Sequence, residues 1–259
     1  MRILFIGDIV GGPGRRGLAK LLPGLREELE PDLTIANGEN AAGGVGITER
    51  TAEEIFAAGV DLITTGNHVY RHRDAYGFLD RAERVLRPAN YPHANPGKGF
   101  VVVEADGMRV GVINLSGAIR LQVARLPFQE ADAILERIEA DCVVVDFHAE
   151  VSSEKVAIGW HLDGRVAAVF GTHTHVPTAD ARVLPGGTAF ISDVGMTGSR
   201  TSVLGVKPEQ VVEGMKTQMP VKFETASDDV WVMGAVVEVN ARGLADSIEQ
   251  VMTPAPLGS

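Results

Sequence analysis

Residues 167–175 read AAVFGTHTH. The apolar run that ends at Gly171 predicts a buried central strand. His173 and His175 follow this strand, and their spacing places both imidazoles on one side of an extended chain. Taken alone, the two histidines are equally compatible with a solvated loop. The interpretation therefore depends on how the other strands of the chain end.

Four further apolar runs end in side chains that commonly bind metals. Asp8 follows the run that begins at Arg2, and Glu39 and Asn40 follow the run that begins at Leu33. Asn67 and His68 follow the run that begins at Leu62, and His148 follows the run that begins at Val143. The carboxyl ends of strands in an open α/β sheet form the edge where ligands bind, so we expect these side chains to converge at one edge of one sheet. Four of the seven histidines lie in these five turns, which favours a binding site over a structural origin.

The composition is typical of one α/β domain. The chain has 259 residues, 45% hydrophobic residues and 30 glycines, and strand and helix patterns recur without a linker. We therefore predict a single domain over residues 1–259. The hairpin signal at Asp106-Gly107 predicts an antiparallel pair and hence a mixed sheet. Residues 192–227 are predicted to be an insertion, and the pattern leaves open whether it is a lid or a subunit interface.

Charge and hydropathy limit the class of partner and the compartment. A net charge of -10 disfavours binding along an extended nucleic acid, which needs a basic surface. A small phosphate ester remains compatible, because bound metals would reverse the local field. No apolar run reaches membrane-spanning length, and the N-terminal one is too short for a signal segment. With a single cysteine, Cys142, and therefore no internal disulfide, the chain is predicted to be cytoplasmic.

A dinucleotide-binding fingerprint is the main competing motif. Gly12, Gly14 and Gly17 match the spacing G-x-G-x-x-G, and the acidic Glu39 follows about twenty positions later. In a dinucleotide fold, however, the first glycine directly follows the strand, whereas here Asp8 and three more residues intervene. We therefore expect these glycines to let the chain pass close to a different kind of site.

The candidate ligands suggest a pair of metal ions. Carboxylate and amide oxygens with neutral imidazoles suit iron, manganese, zinc or magnesium. The set is too large for one ion but suits two ions about 3.5 to 4 Å apart that share a carboxylate. A water held between them would provide a hydroxide nucleophile, and His68, outside the ligand set, could protonate the leaving oxygen. The predicted ligands are Asp8, Glu39, Asn40, Asn67, His148, His173 and His175.

These motifs resemble a known superfamily. The five blocks of calcineurin-like metallophosphoesterases are similar, in order, to Gly7-Asp8, Gly38-Glu39-Asn40, Gly66-Asn67-His68, His148 and Gly171-Thr172-His173-Thr174-His175. Within the superfamily, the sequences at 38–41, 171–177 and 193–196 resemble those of YmdB-type phosphodiesterases, which act on 2′,3′-cyclic nucleotides. The resemblance implies a metallophosphoesterase fold, with a mixed two-sheet β core flanked by helices on both sides.

The resemblance also implies individual roles. One metal would be held by Asp8, Glu39, Asn40 and His175, and the other by Glu39, Asn67, His148 and His173. Glu39 would bridge the two ions, and iron or manganese are expected in preference to zinc or magnesium. His68 would donate the proton. Two departures from the wider superfamily matter: Val10 replaces a common histidine ligand, so Asn40 must supply that ligand, and Val69 replaces the acid that commonly follows His68.

The sequence thus predicts a two-metal hydrolase of small phosphodiesters, with 2′,3′-cyclic nucleotides as the expected substrates. Two alternatives stay open. One is a phosphomonoesterase or nucleotidase that uses the same metals, and the other is a metal-dependent regulator that binds a nucleotide or RNA without turnover. A homo-oligomer is also compatible with the sequence, and the histidines outside the motifs are expected to be structural or solvated.

Overall fold

The computed structural model describes residues 1–255. In this range the strands are β1 (Arg2–Ile6), β2 (Asp8–Ile9), β3 (Leu33–Asn37), β4 (Leu62–Thr64), β5 (Phe100–Ala105), β6 (Met108–Ser116), β7 (Cys142–His148), β8 (Ala168–Thr172), β9 (Arg182–Val183), β10 (Ala189–Ile191), β11 (Met196–Ser199), β12 (Val230–Val239) and β13 (Ala245–Pro254). The helices are α1 (Gly11–Leu29), α2 (Glu49–Ala57), α3 (Ala75–Arg81), α4 (Pro127–Leu135), α5 (Ser152–Leu162) and α6 (Pro208–Thr217).

The strands form two mixed sheets. The first has the order β2-β11-β12-β1-β3-β4, and β13 also pairs with β12. The second has the order β5-β6-β7-β8-β10-β9. Strands β1, β3 and β4 are parallel to one another, as are β6, β7, β8 and β10. The antiparallel neighbours include β5, which forms the predicted hairpin with β6. Its turn residues Asp106 and Gly107 both have positive φ, as a tight hairpin requires.

Three hydrophobic clusters stack the layers in the order helix, sheet, sheet, helix. The middle cluster lies between the sheets, where the rings of Phe5 and Phe170 stack with centroids 4.6 Å apart. Helices α1, α2 and α3 cover the outer face of the first sheet, and α4 and α5 cover that of the second. The predicted fold class, a mixed two-sheet core flanked by helices on both sides, is confirmed.

The glycines of the dinucleotide-like motif lie inside helix α1 and do not form a loop beside a site. A Cβ on Gly14 would overlap the carbonyl oxygen of Thr197, and one on Gly17 would come within 2.5 Å of the Val230 side chain. The glycines therefore allow α1 to pack closely against β11 and β12. The expectation that they bring the chain close to a site was wrong, because tertiary packing outweighs the poor helix propensity of glycine.

The predicted insertion at 192–227 contributes to the first sheet. Strand β11 lies between β2 and β12, and α6 follows with most of its residues at least partly exposed. The predicted role of this region as a lid or subunit interface stays a prediction, as does the single domain over 1–259. Residues 256–259 of that domain lie outside the described residues. Within 1–255, no helix is long and apolar enough to cross a membrane.

Candidate metal centre

The five ligand-bearing strand ends meet where the carboxyl ends of both sheets come together. Strands β1, β3 and β4 of the first sheet precede the motifs of Asp8, Glu39 and Asn67. Strands β7 and β8 of the second sheet deliver His148 and His173. The expectation that all five strands share one sheet was wrong, because an apolar run does not specify its pairing partner. The five strand ends nevertheless converge, because the two sheets are stacked.

The first group of converging side chains surrounds the Nε2 atom of His148. Glu39 Oε1 lies 3.1 Å from this atom, Asn67 Oδ1 also lies 3.1 Å from it, and His173 Nδ1 lies 3.0 Å from it. Glu39 and His148 are fully buried, and potential ligand atoms of Glu39, His148 and His173 all lie within 4.8 Å of one another. All four residues predicted to hold one ion are thus brought together.

The second group lies beside the first and contains Asp8, Asn40 and His175. The Nε2 atom of His175 is 3.0 Å from Asn40 Nδ2 and 3.9 Å from Asp8 Oδ1. The two groups adjoin, because Asp8 Oδ1 is also 3.8 Å from His148 Nδ1. The backbone N–H of His173 donates to Asp8 Oδ2 over 3.1 Å. Every predicted ligand therefore belongs to one continuous cluster.

Two features indicate that the cluster fits a cation. Asp8 Oδ1 is buried and has no hydrogen-bond partner among the described residues, which is costly for a carboxylate unless a cation faces it. Gly66 lines the cluster, and a Cβ at this position would overlap the His148 ring and the Glu39 carboxylate. Only glycine lets the His148 ring and the Glu39 carboxylate lie this close to the backbone, so this position keeps two donors together in a set that suits a bound metal.

The outer ring nitrogen of each ligand histidine has its own partner. His148 Nδ1 lies 2.9 Å from Thr172 Oγ1, His173 Nε2 lies 3.0 Å from Glu150 Oε2, and His175 Nδ1 lies 3.0 Å from the Leu204 carbonyl oxygen. A hydrogen bond from the outer N–H fixes the ring orientation and directs the lone pair of the other nitrogen inward. This is the arrangement expected of metal-binding histidines.

Charge interactions and burial together set the protonation states within the cluster. Burial raises the pKa of Glu39, but the His148 ring outweighs burial and the net effect lowers it to about 2. Burial lowers the pKa of His148, but Glu39 and Asp8 outweigh burial and raise it to about 9. Burial and the neighbouring His148 lower the pKa of His173 to about 3. Glu39 is thus ionised and stabilises positive charge on the His148 ring, whereas His173 is held neutral.

A family model described as "YmdB-like protein" matches residues 4–251. The chain belongs to the YmdB-like family. A relative from Bacillus subtilis (strain 168), named 2′,3′-cyclic-nucleotide 2′-phosphodiesterase, is 45% identical over 242 residues, which are 93% of this chain and 92% of the relative. The resemblance predicted from the sequence motifs is confirmed.

Two solved structures share the YmdB-like fold over nearly the whole chain. A hypothetical protein from Thermus thermophilus is 41% identical with a TM-score of 0.94, and the match covers 99% of this chain and 100% of that one. A structure described as a novel phosphatase from Mycoplasma pneumoniae is 32% identical with a TM-score of 0.93, covering 98% of this chain and 93% of that one.

A buried polar network supports His148 in this YmdB-like chain, and sequence reasoning missed it. Asp146 Oδ1 accepts from Thr172 Oγ1 over 2.7 Å, and Asp146 Oδ2 accepts from Asn37 Nδ2 over 2.9 Å. Asn37 Oδ1 in turn accepts from the backbone N–H of Glu39 over 3.0 Å. Because the Thr172 hydroxyl donates to Asp146, its oxygen accepts from His148 Nδ1. The spacing of Asp146 and His148, which places both on one face of β7, was the available signal.

A buried ion pair holds the turn that carries the other two histidines. Lys155 Nζ donates to Asp193 Oδ2 over 2.6 Å and to the carbonyl oxygen of Thr172 over 2.7 Å. Asp193 Oδ2 also accepts from the backbone N–H and the hydroxyl of Thr174. His173 and His175 have φ of 96° and 65°, a region that costs a non-glycine residue energy. The ion pair offsets this cost by anchoring the residue between them.

His68 lies at the margin of the cluster. Its backbone N–H donates to Glu39 Oε2 over 3.0 Å, and its Nδ1 is 3.9 Å from Glu39 Oε1. Nδ1 has no hydrogen-bond partner among the described residues, and the side chain is 35% exposed. His68 is therefore adjacent to the ligands, and its ring is not part of the group that surrounds His148.

The remaining histidines have ordinary surface contacts, as expected. His72 Nε2 lies 2.9 Å from the Val45 carbonyl oxygen, and His161 Nε2 lies 2.9 Å from Asp132 Oδ1. His93 is exposed and lies 3.3 Å from the Arg125 guanidinium. These three side chains do not join the cluster of predicted ligands.

Proposed function

We propose that this protein is a two-metal phosphodiesterase that hydrolyses 2′,3′-cyclic nucleotides. The observation that carries the proposal is the continuous cluster in which Glu39 contacts His148, and His148 also approaches Asp8 of the second group. The activity named for the Bacillus subtilis relative, which is 45% identical, supports the choice of substrate. The small size of such a substrate also agrees with the acidic net charge of -10, which disfavours an extended nucleic acid.

The proposed ligand sets are those suggested by the sequence. Asp8, Glu39, Asn40 and His175 would hold one ion, and Glu39 with Asn67, His148 and His173 would hold the other. Iron or manganese are proposed as the native metals, and the oxygen and imidazole donors without a thiolate suit these ions as well as zinc or magnesium. When bound, two such ions supply Lewis-acid stabilisation of the phosphoryl oxygens and lower the pKa of a coordinated water.

His68 is proposed to donate the proton to the leaving oxygen. Hydrolysis forms a bond from phosphorus to a water oxygen and breaks the bond from phosphorus to one ribose oxygen, which must gain a proton. A protonated imidazole close to the phosphate can supply it. The partial exposure of His68 and its position outside the group around His148 support this role.

The test is a substrate comparison with metal-loaded protein. The rates for nucleoside 2′,3′-cyclic phosphates are compared with those for the matching 2′- and 3′-monophosphates, and metal content is measured by elemental analysis. We expect two ions per chain and turnover of the cyclic phosphates to monophosphates, with the monophosphates left intact. Release of inorganic phosphate from the monophosphates at a comparable rate would instead indicate a phosphomonoesterase. Tight nucleotide binding without turnover would indicate a regulator.

A further inference from the structure

Two clefts open beside the metal centre, and they share Asn67 and Tyr70. The larger has a volume of about 660 Å³ and is lined by Tyr91 and Arg120 as well. The smaller has a volume of about 410 Å³ and is lined by His68. Both clefts therefore start at a predicted metal ligand, and only the smaller one contains the proposed proton donor.

The lining of the larger cleft combines an aromatic wall with exposed polar groups. The rings of Tyr70 and Tyr91 lie 6.2 Å apart, and the Tyr70 hydroxyl is held by the Pro96 carbonyl oxygen over 2.6 Å. The opposite side is formed by the segment that carries the exposed side chains of Arg120 and Gln122. Aromatic faces stack on nucleobases of any identity, and guanidinium and amide groups hydrogen-bond their edges.

The phenol of Tyr91 is neutral at physiological pH. Burial raises the pKa of Tyr91 to about 12, and the negative charge of Glu39 adds to this effect.

We infer that the larger cleft, between Tyr91 and Arg120, binds the nucleoside part of the substrate. This inference rests on the proposed function. In a 2′,3′-cyclic phosphate the leaving oxygen remains attached to the ribose, so the ribose must lie near His68 while the phosphate lies at the metals. The two clefts meet at Asn67 and Tyr70, which places the ribose at the junction and directs the base into the larger cleft.

The test compares two cyclic phosphates that differ only in the nucleoside. One is a purine nucleoside 2′,3′-cyclic phosphate, and the other is ethylene phosphate, the same five-membered ring without sugar or base. Loss of one base-stacking contact in Tyr91→Leu should raise KM for the nucleotide roughly 10- to 100-fold. Turnover of ethylene phosphate should not change. Tyr91→Phe, which keeps the ring, should stay close to the parent. Phe56→Leu, which changes an aromatic side chain on α2 that does not line the cleft, is the control.

A second variant covers the case in which Tyr91→Leu fails to fold. Arg120 is exposed, so Arg120→Ala should fold normally and raise KM for the nucleotide roughly 2- to 10-fold, the range of one lost hydrogen bond. Arg242→Ala, an exposed arginine in the turn between β12 and β13, is its control. An equal loss of kcat/KM on both substrates, or an unchanged KM in every cleft variant, would overturn the inference.

Failure of the parent protein to hydrolyse either cyclic phosphate would refute the proposed function. In that case, the cleft is tested by equilibrium binding of the nucleotide to the parent and the variants.

Discussion

The three histidines predicted to bind metal and His68 lie in or beside one cluster, but their surroundings differ. The side chain of His148 is fully buried and those of His173 and His175 are 18% and 11% exposed, against 35% for His68. Each of the first three has a partner for the ring nitrogen that points away from the cluster. The buried Nδ1 of His68 faces Glu39 and has no hydrogen-bond partner among the described residues. Fixed, buried rings suit metal ligands, and a ring that is partly exposed suits contact with a substrate.

The largest expected effect comes from removing the carboxylate that both regions share. Glu39→Ala should empty both metal sites or leave one loosely filled, because Glu39 is the predicted bridge and contacts both His148 and the backbone of His68. Turnover should fall to the background rate. Elemental analysis after dialysis measures the metal content, and two tightly bound ions in this variant would contradict the bridging role.

A smaller and selective effect is expected at Asn40. Its amide contacts His175 but not the group around His148, so Asn40→Ala should weaken one site and spare the other. Activity should then recover in part at high metal concentration. The measurement is the dependence of rate on added metal. An unchanged dependence would show that Asn40 shapes the loop and does not bind the ion.

A still smaller effect is expected from the network behind His148. Thr172→Val removes the acceptor of the outer N–H of His148, and loss of such a contact weakens metal affinity by roughly 10- to 100-fold. Thr188→Val is the matched control, since Thr188 is equally buried but bonds to the Leu162 and Val166 carbonyl oxygens away from the cluster. Metal affinity is measured by equilibrium titration. Equal weakening in both variants would mean that the effect is one of stability.

The convergence of the predicted ligands could be anticipated because their motifs follow strands, and strand ends are visible in the sequence. The groups that orient the ligands could not be anticipated. Asn37 and Asp146 are 109 residues apart, and their contact depends on the stacking of two sheets. The sequence does not distinguish the buried Lys155 from other helical lysines, because its pairing with Asp193 depends on the fold. The position of Gly12, Gly14 and Gly17 inside α1 was not expected, because glycines are poor helix formers and the close packing of this helix against the sheet is not visible in the sequence.

The most direct test of the difference between the two regions is the leaving-group dependence of His68→Ala. If His68 donates a proton and binds no metal, the variant should retain both ions and lose roughly 10²- to 10⁴-fold in turnover of a cyclic nucleotide. On an activated aryl phosphodiester, whose leaving group needs no proton, it should be nearly as fast as the parent. Loss of an ion would place His68 with the ligands, and equal slowing on both substrates would indicate that it positions the substrate; either result would contradict its role as the proton donor.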